Sequence, residues 1–179
     1  VVTNAYGNAT SAAATLTVTG VQPPPSSGIV SDDFHTGALN TALWTAVNPR
    51  GDATFTLPGA GTANARLSIA VPAGVAHDVW SDGNNAPRVM QTVGNTDFEA
   101  EVKFDGTMTS EYQMQGIQVA QDATNYLRFD LVRDAAGTRF FAASFTNNVP
   151  TIRADVSVTV GAPVYLRVKR VGSQWTGSY

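Results

Sequence analysis

Cysteine is absent from the 179 residues, which excludes disulfides, thiolate metal sites and cysteine nucleophiles together. Histidine is almost as scarce. The two present, His35 and His77, lie outside any G-x-S-x-G or H-E-x-x-H arrangement, so the common serine-hydrolase and zinc-protease patterns are missing. Charged residues make up 14% of the chain, the net charge is −3, and no run of Lys or Arg occurs. That balance leaves no electrostatic footprint for nucleic acid or an anionic membrane. No apolar run approaches the roughly 18 residues of a membrane span, so membrane insertion is not expected, and no stretch holds a helical period. The opening residues, VVTNAYGNAT, lack the charged start and apolar stretch of a signal peptide, and both ends read as internal to a longer chain.

What is present is turn chemistry and strand pattern. The chain holds 16 Gly and 9 Pro and is 43% hydrophobic, enough for one good core and part of a second. The clearest boundary is TGVQPPPSSGIVS, where three consecutive prolines beside Ser and Gly favour an extended, semi-rigid spacer. It divides the chain into residues 1–18, a linker over 19–30, and a domain over 31–179. Within residues 1–18, Val1 to Asn4 and Ala14 to Val18 read as strands around an AYGNATS turn. A lone hairpin is marginal in water. VVTNAYGNATSAAATLTV resembles the last two strands of a bacterial immunoglobulin-like domain.

From Ser31 onward, short strands alternate with turns. DFEAEVKF puts Phe98, Ala100, Val102 and Phe104 on one face and Glu99, Glu101 and Lys103 on the other. MQGIQVA follows. NYLRFDLVRD then places Leu127, Phe129 and Leu131 inward and Tyr126, Arg128 and Asp130 outward, before a DAAG turn. RFFAASF, an NNVP turn, TIRADVSV and VYLRVKRV continue the series, with Ile152, Ala154 and Val156 on one side and Leu166 and Val168 on one side. Many short strands at regular spacing predict an all-β sandwich or jelly roll.

Candidate chemistry falls in three places. Glu99 and Glu101 stand roughly 7 Å apart on one strand face, within the 5 to 10 Å span of a glycosidase acid pair, although a solvent-facing row that continues into Lys103 has the same pattern. His77 to Gln91, HDVWSDGNNAPRVMQ, gathers an aromatic ring, amides and a guanidinium in one loop. A sugar ring stacks on an aromatic face while planar polar groups hold its hydroxyls, and Trp80, Asn84, Asn85, Arg88 and Gln91 are residues of those types. Gln115 and Arg128, with Gln113 and Asp130, extend this set as a wet sheet face. The competing reading makes Asn84 and Asn85 turn formers and Trp80 a cover for the sandwich end. Finally, Asp32 and Asp33 in SDDF offer hard oxygens to a candidate structural calcium, although two carboxylates are too few for a shell of six to eight.

Taken in order, SDDFHTGALNTALW, ARLSIAVPAG, HDVWSDGNNAPRVMQ, DFEAEVKF, MQGIQV, NYLRFD and PVYLRVKRVGSQWTGSY resemble the concanavalin A-like β-sandwich domains of secreted bacterial proteins. These include uncharacterised domains related to the C-terminal sandwich of beta-xylosidases. The resemblance spans residues 31–179 and implies a two-sheet antiparallel jelly roll that accompanies carbohydrate-active enzymes. Such domains continue beyond the W-T-G-S-Y segment, so closing strands are expected to be missing. The expected function is a non-catalytic, carbohydrate-binding accessory module of a secreted or cell-surface multidomain protein, with a glycan and the other domains of the same chain as partners and no catalytic residue assigned. A structural or adhesive spacer is one alternative. A glycoside hydrolase or polysaccharide lyase using Glu99 or Glu101 is another.

Overall fold

The computed structural model describes residues 28–179, together with the backbone of two short strands near the start, β1 (Val2–Asn4) and β2 (Gly7–Ala9). These two pair antiparallel from Val2↔Ala9 to Asn4↔Gly7. The pairing corrects the expected hairpin, because Gly7 to Ala9 belong to a strand rather than to the turn. The expected second strand, Ala14 to Val18, lies outside the described residues, as does the linker up to Ser27.

The remaining strands are all antiparallel, and the described residues contain no helix. β3 (Thr45–Val47) pairs with β6 (Arg88–Met90), and β4 (Thr54–Thr56) with β5 (Ser68–Ala70). Two larger sheets carry the core. One orders β11 (Val149–Val158), β10 (Gly137–Thr146), β9 (Tyr126–Asp134) and β8 (Met114–Ala120). The other orders β13 (Gln174–Ser178), β12 (Val164–Val171) and β7 (Phe98–Phe104).

Period-two alternation explains how the two sheets meet. Phe129, Leu131, Phe140 and Ala142 of the four-stranded sheet form one buried cluster with Val164, Leu166 and Val168 of the three-stranded sheet. Leu131, Leu166 and Val168 are fully enclosed, and each such side chain contributes about 1.5 to 3 kcal/mol by leaving water. Gly177 marks the close approach: a Cβ there would stand 2.7 Å from Phe140 Cζ and 2.9 Å from Phe129 Cδ1. Only hydrogen fits beneath those two rings.

The outer face of the four-stranded sheet departs from expectation. Tyr126, Arg128 and Asp130 point away from Leu131, as the alternation requires, yet their exposures are only 3%, 6% and 5%. The wet face expected here is a second buried layer. Tyr126, Ala143 and Phe145 cluster there with Phe141, and the segment carrying Val79 and Trp80 folds over them. Strand β9 therefore alternates between two interiors. The face of β11 also needs correction. A register shift between Ala142 and Ala143 sets Ala154 opposite Ala142 but Ile152 opposite Ala143, so a bulge at Arg153 sends Ile152 and Ala154 to opposite faces.

Candidate functional site

A cleft of about 550 Å³ opens where the loop before β6, the end of β3 and two hairpin turns converge. Its polar wall comprises Asn48, Asn84, Arg88, Thr124 and Asn148, and its apolar wall includes Val47 and Pro49. No carboxylate or imidazole lines it.

Local hydrogen bonding explains how the loop holds its shape. The Asp78 carboxylate accepts from the N–H groups of Trp80, Ser81 and Asp82 at 2.8 to 2.9 Å and from the Ser81 hydroxyl at 2.8 Å. Burial opposes its charge, but the Asp82 N–H, the Ser81 hydroxyl and N–H and the Trp80 N–H outweigh that cost and hold Asp78 below its usual pKa. Gly83 turns the chain at φ +86°. Asn85 closes the turn by donating its N–H to the Asp78 carbonyl at 2.9 Å and its side-chain amide to the Asp82 carbonyl. Arg50 pairs with Asp82 and ties the loop to the segment after β3.

Asn84 then connects loop to sheet. It exchanges side-chain amide hydrogen bonds with Gln118 at 3.1 and 3.3 Å, and its Oδ1 accepts from Arg88 Nη1 at 3.2 Å. Arg88 Nη1 also donates to the Ala86 carbonyl at 2.8 Å. Its Nε is buried without an acceptor. Burial lowers the Arg88 pKa, an effect that the nearby Tyr126 hydroxyl partly offsets. The Tyr126 hydroxyl is likewise buried and unpartnered, and burial raises its pKa against the pull of Arg128 and Arg88.

Of the seven residues expected to bind sugar, Asn84 and Arg88 meet in the cleft. Asn85 forms the turn. Gln91 exchanges hydrogen bonds with the Val30 backbone at 2.7 and 3.0 Å, pinning the end of the linker region to β6. Trp80 sets its ring edge-on to Phe141 and Phe145, both at 5.7 Å, and retains 37% exposure. Arg128 lies beneath the loop in a two-point pair with Asp130, at 2.6 and 3.0 Å, with Phe141 under its guanidinium at 5.0 Å. Gln115 is opposite Leu131 in register and Gln118 is opposite Arg128, so Gln115 occupies the other face of β8 and donates to the Gly106 carbonyl at 3.2 Å. The row imagined with Gln115 is instead built with Gln118.

Sequence reasoning missed Asn48, Gln118, Thr124 and Asn148. Gln118 alternates with Gln115 at an odd spacing, a signal that β8 has polar groups on both faces. Asn147 and Asn148 adopt φ values of +50° and +62°, and the Asn148 N–H donates to the Thr124 carbonyl at 2.9 Å, so the two hairpin turns are linked at the cleft wall.

The other candidate chemistry disperses. Glu101 accepts from Arg167 Nε and Nη2 at 2.9 and 2.7 Å, and Glu99 faces Arg167 at 3.3 Å and Lys169 at 3.8 Å. They form a cross-strand ion-pair row on the exposed face of β7 and β12. Asp32 spends one oxygen on the Phe34 N–H and the other on the Trp44 indole, each at 2.8 Å, while Asp33 accepts from the His35 N–H at 3.0 Å. Both carboxylates are thus engaged by nearby donors, and no group of three or more His, Cys, Asp or Glu gathers among the described residues. His77 hydrogen-bonds to Asp52 at 2.8 Å and the Val75 carbonyl at 3.1 Å, and its side chain is only 9% exposed.

No protein-family model, curated protein or solved structure matches the chain.

Proposed function

We propose that this chain is a non-catalytic, carbohydrate-binding module of a secreted or cell-surface bacterial protein, built on a concanavalin A-like jelly roll that follows the end of an immunoglobulin-like domain. The observation that carries the reading is the cleft, whose polar wall is made of amides, a hydroxyl and a guanidinium. Planar donors and acceptors of that kind suit the hydroxyls of a pyranose, and the volume suits a short stretch of glycan. Trp80 supplies an aromatic surface on the same loop, braced from beneath by Phe141 and Phe145. The antiparallel sheets packed around one core are compatible with the proposed jelly roll.

A glycan array probed with the full chain tests this reading. Binding that Asn84→Ala weakens at least about tenfold, with the melting temperature held within a few degrees, supports it. Binding unaffected by Asn84→Ala, Arg88→Gln and Trp80→Ala would place the ligand elsewhere. A spacer domain without a ligand is the second reading, favoured by the reciprocal amide pair of Asn84 and Gln118, which satisfies both side chains internally. No binding across the array, with an extended particle in small-angle scattering, supports that alternative.

A further inference from the structure

We infer that the cleft selects anionic sugar residues, carboxylated or sulfated, over neutral ones, and that Arg88 reads the negative charge. The inference rests on the glycan-binding reading above and narrows it to a substrate class. Arg88 lies on β6 at the cleft wall, and its protein acceptors are neutral oxygens: Asn84 Oδ1 and the Ala86 carbonyl, both reached through Nη1. Nη2 makes no hydrogen bond to the described residues. Arg50, Arg128, Arg139 and Arg167 each face a carboxylate at ion-pair distance, whereas Arg66, Arg153 and Arg170, like Arg88, donate to neutral oxygens; what distinguishes Arg88 among these is its place in the cleft wall with a buried, unpartnered Nε.

The acids near the cleft are engaged by other donors: Asp82 by Arg50, Asp78 by its own turn, and Asp122 by Thr124 and Asn125, so none of them pairs with Arg88. A half-buried guanidinium without a counter-charge is unfavourable, and an incoming anionic oxygen relieves it. Charge-assisted hydrogen bonds are roughly twice as strong as neutral ones, and with Nη1 spent and Nε buried, Nη2 is the donor left for an oxygen of a carboxylate or sulfate. Asn148 on the same wall offers a neutral amide to the hydroxyls of that sugar.

The experiment is isothermal titration of the full chain with four oligosaccharide probes in two pairs: an oligouronate and its methyl ester, and a sulfated neutral oligosaccharide and its unsulfated form. The expected result is binding of an anionic probe about tenfold or more tighter than its neutral counterpart, a preference that falls to within about twofold in Arg88→Gln. Preference for the oligouronate identifies a carboxylate as the source of charge, and preference for the sulfated probe identifies a sulfate. Asn148→Asp places a carboxylate in the wall without touching the loop, and should also remove the preference if Arg88→Gln fails to fold. Equal affinity for charged and neutral forms, or an unchanged preference in both variants, overturns the inference while glycan binding stands. No binding of any probe, charged or neutral, overturns the inference and the glycan-binding reading together.

Discussion

Arg128 and Asp130 form a buried ion pair that needs both members. Its two hydrogen bonds and the Phe141 ring beneath it counter part of the cost of removing two charges from water, and burial still raises the Asp130 pKa against the pull of Arg128. Asp130→Ala leaves Arg128 buried and unpaired, and is expected to lower the unfolding free energy by about 3 to 5 kcal/mol in urea titration. Glu101→Gln, which breaks an exposed pair with Arg167, should leave the urea midpoint nearly unchanged. Tyr126 provides the opposite case. Its hydroxyl is enclosed without a partner, so Tyr126→Phe should raise stability by about 1 kcal/mol in the same titration. Asp122 is exposed, but the Asn125 side chain and then the Thr124 N–H and hydroxyl hold its carboxylate at a pKa of about 2, below the usual 3.8. A lowered acid contributes stability that is present above 3.8 and lost as the pH falls through about 2. The Thr124 and Asn125 amide resonances should therefore titrate with a midpoint near 2, and a midpoint near 3.8 would contradict these contacts.

At the scale of the strand, glycine sets how closely neighbours approach. Gly116 on β8 is opposite Asp130, where a Cβ would collide with the Phe129 carbonyl and the Asp130 side chain. Gly177 lies under the rings of Phe129 and Phe140. Gly177→Ala should cost about 1 to 3 kcal/mol by overpacking, read as a lower urea midpoint. Much of this level was legible in the sequence. Phe98, Ala100 and Phe104 on β7, and Leu166 and Val168 on β12, take the inward positions that alternation assigns them, whereas Val102, assigned to the same face of β7, is 39% exposed. The outer face of β9 was not legible, because alternation separates two faces without saying which is wet. The covering Val79 and Trp80 arrive from about fifty residues away, and no pattern within NYLRFDLVRD announces them. The turn of Ile152 to the other face follows from one unpaired residue in β11, which a strict period of two cannot express.

At the scale of the molecule, the loop of residues 77–87 serves both stability and the site. It covers the Arg128–Asp130 layer with Val79 and Trp80, and then carries Asn84 to the cleft. The residue types in HDVWSDGNNAPRVMQ indicated a polar site, but the division of labour among them depends on which groups the turn consumes. Asn85 and Gln91 are used by the backbone, whereas Asn84 and Arg88 remain at the wall. Asn48, Thr124 and Asn148 come from three separate turns, and only the folded sheet order brings them together. The most direct test of a glycan site in this cleft is a two-dimensional NMR titration of the full chain with the best ligand from the array, following side-chain and backbone amides. Saturable shifts are expected at Asn48, Asn84, Thr124 and Asn148, with Glu99 and Glu101 unmoved. Shifts confined to the exposed face of β7 and β12, or saturable binding with the cleft resonances unchanged, would contradict a glycan site there.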